Sequence, residues 1–108
     1  MSFLIPQTEA EFQRVVTDYA ESLGWHWLHI GRTGKYAANG AKGTLGEGWP
    51  DLFLVKGDRA MYVELKSQGG VVSERQKRVM MILSEVAEVY VWRPSDIALM
   101  AEVLHHAP

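Results

Sequence analysis

Two apolar runs of strand length, separated by a short polar turn, constrain this chain more than any other feature. The runs are residues 51–55 and 60–66, and the turn is the sequence Lys-Gly-Asp-Arg at residues 56–59. Two such runs on either side of a glycine-containing turn are typical of a β-hairpin. A hairpin brings the start of its first strand beside the end of its second. We therefore expect Asp51 to lie close to Glu64 and Lys66.

The polar residues of this hairpin have the composition of a metal site. Side chains alternate between the faces of a strand, so Glu64 and Lys66 share one face with Tyr62. The carboxylates of Asp51 and Glu64 are hard oxygen ligands of the kind that Mg²⁺ prefers. Such an ion could polarise a phosphoryl group and acidify a water, while the Lys66 ammonium stabilises the charge of the transition state. This combination predicts phosphodiester hydrolysis.

Each of these residues has a simpler explanation when it is taken alone. A Glu–Lys contact on a half-exposed strand is common, and a Pro-Asp step can merely start a strand. The combination on two adjacent strands, followed by Gln76 on a second helix, favours the functional interpretation.

The remaining composition places the chain in a broad class. We expect its 108 residues to form one domain, residues 1–108. The absence of cysteine excludes disulfides and thiolate chemistry and fits an intracellular, cytoplasmic protein. No apolar run approaches the length that spans a membrane. Because neither GxxxxGK[ST] nor GxGxxG occurs, we expect no nucleotide cofactor.

Charge is distributed unevenly along the chain. Residues 31–78 carry nine of the eleven Lys and Arg residues against five acids, a net charge of +4, whereas the rest carries two bases against eight acids, a net charge of −6. Two of the five acids are the proposed metal ligands. The local field is therefore compatible with a polyanionic ligand.

Hydrophobic periodicity and turn residues predict the order of the elements. They indicate a helix over 8–23, strands over 25–30, 51–55 and 60–66, a helix over 73–85, a strand over 88–92 and a last helix from 94 to near 104. The order helix-strand-strand-strand-helix-strand-helix predicts an α/β fold around a mixed sheet of about four strands.

Two helices begin with capping motifs. Thr8 with Glu11 fits a capping box, in which the carboxylate reaches back to the Thr8 amide, and Ser73 with Gln76 fits a second one. For the second helix we expect the buried apolar stripe to contain Val79, Ile82, Leu83 and Val86.

The hairpin motifs resemble the PD-(D/E)xK nuclease signature, through Trp-Pro-Asp-Leu at 49–52 and Val-Glu-Leu-Lys at 63–66. The wider pattern resembles the VRR-NUC family in particular. It comprises residues 8–13, 48–52, 64–66, 73–76 and 89–94. These segments extend over nearly the whole chain.

The resemblance implies a restriction-endonuclease-like, three-layer core and a DNA endonuclease that uses Mg²⁺ or Mn²⁺. Stand-alone domains of this kind, found in bacteria and their viruses, are similar to Holliday-junction resolvases, which cut branched DNA as homodimers. By the same resemblance Asp51 and Glu64 bind the metal, the Leu65 backbone carbonyl completes its shell, Lys66 aids the nucleophile and Gln76 lies beside the site.

The family also implies an acid on the first helix, for which there are two candidates. At 100° per residue, Glu9 lies about 60° from a stripe centred on Phe12, and Glu11 about 100°. Because Glu11 already has a role in the capping box, Glu9 is the favoured catalytic and metal-binding residue, with Glu11 as the alternative. Gln76 has two open roles, helix capping and contact with the site.

If the substrate is DNA, basic side chains of the 31–48 loop and the second helix would contact its phosphates, although such charges are often simply solvated. These side chains are Arg32, Lys35, Lys42, Arg75, Lys77 and Arg78. Tryptophan rings could stack on bases, but core or dimer packing is their more common use. Only Trp49, in the loop before Asp51, has a functional position.

Three functional alternatives follow. The first is a structure-specific endonuclease, resembling a junction resolvase. The second is a nuclease of flaps or linear duplex without junction preference, and the third is a DNA-binding module that keeps the fold without catalysis. The apolar stretch from Ile97 to Leu104 could support a homodimer or belong to the core.

Overall fold

The computed structural model describes residues 8–30, 45 and 48–106. Within these residues the elements are α1 (Glu9–Ser22), β1 (His26–His29), β2 (Leu52–Lys56), β3 (Arg59–Leu65), α2 (Glu74–Leu83), β4 (Glu88–Trp92), a 3₁₀ turn (Pro94–Asp96) and α3 (Ile97–His105). The strands lie side by side in the order β1-β2-β3-β4. The β1–β2 and β2–β3 pairs are antiparallel and the β3–β4 pair is parallel, which confirms the predicted mixed sheet.

The predicted β2–β3 hairpin forms, with a turn shorter than the predicted 56–59 because Lys56 and Arg59 belong to the strands. Lys56 pairs with Arg59 across a two-residue turn, and the register continues to Leu52 opposite Val63. Gly57 takes a φ of +60°, a left-handed conformation that suits the first central position of a tight hairpin turn. The turn therefore fixes which residues of the two strands face each other.

One face of the sheet packs against α1 and α3. The strands contribute Leu52, Leu54, Met61, Val63 and Leu65, all nearly inaccessible to solvent. The helices contribute Phe12, Val16, Ala20, Met100 and Leu104 to the same cluster. Burial of these side chains is the main source of stability that the described fold has.

Helix α2 covers part of the other face and packs against β4. Its buried residues are Gln76, Val79, Met80 and Leu83, which follow the i, i+3, i+4, i+7 spacing of one helical face. The predicted stripe was wrong in two members, because Ile82 and Val86 are 42% and 84% exposed. Ile82 lies off that face, and Val86 follows the end of the helix.

An ion pair fastens the far end of the sheet to α3. Arg59 donates to both carboxylate oxygens of Glu88, at 2.7 and 2.8 Å, and also to the carbonyls of Val103 and His106. Its guanidinium lies over the Trp25 ring, 5.1 Å from the centroid. The hydrogen bond from Arg59 lowers the pKa of Glu88 below its ordinary value of 4.5. Burial, with the contact to Glu88, raises the pKa of Tyr90 to about 12, so its hydroxyl stays a donor to that carboxylate.

None of the helices formed by the described residues is long and apolar enough to cross a membrane.

We predict that Arg59→Met lowers the free energy of unfolding by about 1.5–3 kcal/mol at neutral pH, because it removes hydrogen bonds that involve a charged group. A carboxyl whose pKa is lowered by folding stabilises the fold above its unfolded pKa and loses that contribution as the pH falls. The difference between wild type and Arg59→Met should therefore shrink on acidification to about pH 3. Urea unfolding of both proteins, at neutral pH and at about pH 3, measures this difference in the free energy of unfolding.

The matched control is Lys77→Met, which removes an ion pair to Glu74 whose two side chains are 58% and 91% exposed. Exposed pairs of this kind contribute about 0–1 kcal/mol. Equal losses for the two variants would contradict a stabilising role specific to the Arg59–Glu88 pair.

Candidate active site

The hairpin register brings Asp51 and Glu64 to the same end of neighbouring strands. Because Leu52 pairs with Val63, the next position outward sets Asp51 opposite Glu64. Opposite residues of an antiparallel pair have Cβ atoms about 4.5–5.5 Å apart. The Asp51 carboxylate is held there by the backbone N–H of Leu65, which donates to Oδ2 over 2.9 Å. The register and this hydrogen bond therefore place Asp51 beside the Glu64–Leu65 end of β3.

Glu64 is a buried carboxylate, only 1% exposed, on the central strand β3. Its Oε2 accepts a hydrogen bond from Gln76 Nε2 at 2.8 Å and lies 3.4 Å from the ammonium of Lys66. The Lys66 side chain is itself 14% exposed. Since a buried charge is tolerated only when it is paired or hydrogen-bonded, this lysine and this amide account for the position of the carboxylate.

Gln76 fulfils both of the roles that the sequence left open. Its backbone N–H donates to Ser73 Oγ at 3.1 Å, and its Oε1 accepts from the Ser73 N–H at 2.9 Å, completing the capping box of α2. The opposite end of the same amide donates to Glu64. One side chain therefore fixes the start of α2 relative to the carboxylate.

The two candidate acids of α1 have different surroundings. Glu9 Oε1 accepts from the backbone N–H of Ser67 at 3.4 Å, one residue beyond Lys66. Glu11 stays at the helix cap, where its carboxylate meets the Thr8 hydroxyl at 3.2 Å and its N–H donates to the same hydroxyl. In these contacts Glu9 is the acid that approaches the β3 end of the site.

The donor set fits a magnesium or manganese ion held by two carboxylates. Among the described residues, no three of the His, Asp and Glu side chains lie together as a group that could hold a metal. Mg²⁺ commonly keeps several waters and takes only one or two protein carboxylates, with substrate phosphates completing its shell. Asp51 and Glu64 are two carboxylates, which is the number that such a site commonly uses.

The predicted DNA contacts divide into two groups. Arg75, Lys77 and Arg78 are exposed on the first turns of α2, on the helix that carries Gln76. Arg75 also packs on the loop before Asp51. The approach is close, since a Cβ atom added to Gly48, where φ is +100°, would lie 2.9 Å from Arg75 Cγ. Arg32, Lys35 and Lys42 lie outside the described residues.

Comparison with protein-family models matches residues 32–95 to the VRR-NUC domain, which is more than half of the chain. The chain belongs to the VRR-NUC family. This is a nuclease domain family, so membership indicates a nuclease and implies DNA as the substrate. The match includes Asp51, Glu64, Lys66 and Gln76 and begins after α1. Comparisons with curated proteins and with solved structures gave no match.

Arg93, for which the sequence indicated no role, shapes this VRR-NUC site. Arg93, just after β4, donates from Nη1 to the carbonyls of Ser67 and Gly70, at 2.8 and 2.5 Å. It thereby fixes the turn that leads from Lys66 towards α2. The position of Arg93 at a strand end was visible in the sequence, but its partners lie 23 to 26 residues away and required the fold.

The amide of Gln76 gives this VRR-NUC domain a sharp mutational test. We predict that Gln76→Glu keeps an acceptor for the capping box but sets a second carboxylate against Glu64, lowering the free energy of unfolding by about 1–3 kcal/mol. Adding Glu64→Gln restores a carboxylate–amide pair and should recover most of that loss. Denaturant unfolding of the single and double variants measures both effects.

Ser73→Ala serves as the control, since it weakens only the cap and should cost about 0.5–2 kcal/mol. If the added Glu64→Gln change lowers the free energy of unfolding further, the contact between the side chains at 64 and 76 does not account for the loss in Gln76→Glu.

Proposed function

We propose that this protein is a metal-dependent, structure-specific DNA endonuclease that hydrolyses phosphodiester bonds. The observation that supports it most is the buried Glu64 carboxylate, set opposite Asp51 and bound by Lys66 and Gln76. Placing two acids and a partly buried ammonium at one sheet end costs stability, because each charge must be desolvated. Such costs are expected where residues serve chemistry.

In this proposal Asp51 and Glu64 hold Mg²⁺ or Mn²⁺, with the Leu65 backbone carbonyl and Glu9 as further contributors. The ion, when bound, supplies Lewis-acid polarisation of the phosphoryl oxygens. The other groups position what the ion binds. The Leu65 N–H orients Asp51, and the Gln76 amide orients Glu64, so both carboxylates are fixed before substrate arrives.

Lys66 is the electrostatic partner of the reaction. Lys66 follows the buried Glu64 by two residues, and its ammonium lies 3.4 Å from the Glu64 carboxylate. From there it can hold the attacking water and stabilise negative charge that develops on the phosphoryl oxygens. The water oxygen forms the new bond to phosphorus as its proton passes to solvent. The bond from phosphorus to the leaving deoxyribose oxygen breaks, and that oxygen takes up a proton from solvent to become a hydroxyl.

We further propose that the substrate is branched DNA, with a Holliday junction as the reference case, and that the active form is a homodimer. Both finer points rest on resemblance to junction resolvases. The apolar stretch in α3 offers little separate support, because Met100 and Leu104 are core residues while Leu99 is 51% exposed.

We predict that wild-type protein cleaves DNA with Mg²⁺ or Mn²⁺ and not in EDTA, and that Glu64→Gln and Asp51→Asn each reduce the rate by about 10²–10³ or more. Asp58→Asn, an exposed acid in the hairpin turn, is the matched control and should cleave like wild type. Gel assays on four-way junctions, flaps and linear duplex measure all of these rates.

The same gels separate the alternatives. Protein that shifts DNA but leaves every substrate uncut with either metal would be a binding module, and the nuclease proposal would fail. Equal cleavage of flap, duplex and junction would remove the junction preference alone.

We predict that light scattering at working concentration gives twice the chain mass of 12.2 kDa. A single chain mass, with junction cleavage retained, would remove the homodimer and leave the endonuclease.

A further inference from the structure

Three aromatic side chains form a row on the sheet face that carries Glu64. We call Trp49, Phe53 and Tyr62 the aromatic row. The ring centroids of Trp49 and Tyr62 are 5.9 Å apart, and those of Phe53 and Tyr62 are 5.0 Å apart, with the ring planes inclined by 53° and 46°. All three side chains are half-buried. Each of the three residues therefore keeps solvent-accessible surface that a further flat partner could contact.

The aromatic row is continuous with the candidate active site. Tyr62 precedes Glu64 by two residues on β3 and therefore points to the same face. Trp49 precedes Asp51 by two residues. Two residues along a strand span about 6.6 Å, and stacked nucleotides rise about 3.4 Å each, so the row begins within roughly two nucleotides of the carboxylates.

Of the described helices, α2 covers this face of the sheet. It does so on the β4 side of Glu64, where it packs against β4. On the β1 side of Glu64, the neighbour of the aromatic row is Leu28, which pairs with Phe53 and is 60% exposed. Cross-strand packing of Phe53 on Tyr62 explains part of the row as hairpin stabilisation. It does not explain Trp49, which lies before β2 in the loop that leads to Asp51.

We propose that the aromatic row is a stacking platform for one or two unpaired nucleobases next to the scissile phosphate. The proposal rests on the proposed function, because it deepens the substrate from DNA to DNA with unpaired bases beside the cut. Aromatic rings bind unpaired bases by stacking, at about 1–3 kcal/mol per base, without reading the sequence. The exposed residue Arg75 packs against Gly48, which precedes Trp49 in the chain, and its guanidinium would hold the backbone.

Binding in EDTA tests the platform without cleavage. Two single-stranded oligomers of about 10 nucleotides are compared, one of thymidylate and one with the same backbone and only abasic positions. Wild type should bind the thymidylate oligomer about tenfold tighter. Trp49→Leu and Tyr62→Leu should reduce this preference to about twofold or less, whereas Trp49→Phe should keep most of it. Affinity for the abasic oligomer should stay within about twofold throughout.

Trp27→Leu is the matched control, since Trp27 is 40% exposed but pairs with Leu54 and so faces the other side of the sheet. It should leave the preference unchanged. Circular dichroism confirms folding of each variant, and Trp49→Leu, in a loop, keeps the test valid if Tyr62→Leu fails to fold.

Several outcomes would overturn the proposal. Equal binding of both oligomers by wild type is one. Another is a change of mass in light scattering by Trp49→Leu with the base preference intact, which would assign the row to contact between two copies of the chain. A base preference in protein that cuts no DNA with Mg²⁺ or Mn²⁺ would defeat the nuclease proposal and leave the platform standing. Cleavage of DNA by protein without a base preference would defeat the platform and leave the nuclease proposal standing.

Discussion

The candidate active site depends on one buried carboxylate, that of Glu64, on an inner strand of the four-stranded sheet. Transfer of a carboxylate from water into a protein interior costs several kcal/mol, and even a well-made ion pair often fails to recover that cost. The β2–β3 hairpin, the cap of α2 and the turn fastened by Arg93 all contribute to its surroundings. Replacing a buried ion pair by packed apolar residues is often neutral or stabilising, which agrees with the proposed catalytic role of Glu64.

Preorganisation links the fold to the proposed reaction. Asp51 and Glu64 are oriented by a backbone N–H and a side-chain amide, neither of which has to move when substrate arrives. Both orienting groups belong to elements with their own structural role, β3 and the capping box of α2. Residues that belong to the ends of these elements therefore also define the geometry of the site.

Much of this arrangement was predictable because it is local in sequence. A hairpin with a two-residue turn fixes its own register, so the approach of Asp51 to Glu64 followed from residues 51–66 alone. Helix caps are equally local, which is why Thr8 and Ser73 were found. Strand alternation separated Glu64 from the core residues of β3, but it could not show whether a helix covers that face. Glu64 is 1% exposed and is hydrogen-bonded to Gln76 of α2.

The remaining features depend on tertiary contacts. Arg93 and the Arg59–Glu88 pair act across 23 to 29 residues, and periodicity carries no signal for such distances. Ile82 was misplaced because it lies on α2 away from the buried face, and Val86 because α2 ends at Leu83. Gln76 resisted a single assignment because an amide carries both a donor and an acceptor, and here the two ends serve different partners.

The most direct test of the central claim is a crystal structure of the protein with Mn²⁺, using the anomalous scattering of the ion to locate it. The predicted result is a peak within coordination distance of both the Asp51 and Glu64 carboxylates, roughly 2.1 Å from the nearest oxygens. A peak elsewhere, or none between these two side chains at an Mn²⁺ concentration that saturates cleavage, would contradict the claim that they form the metal site.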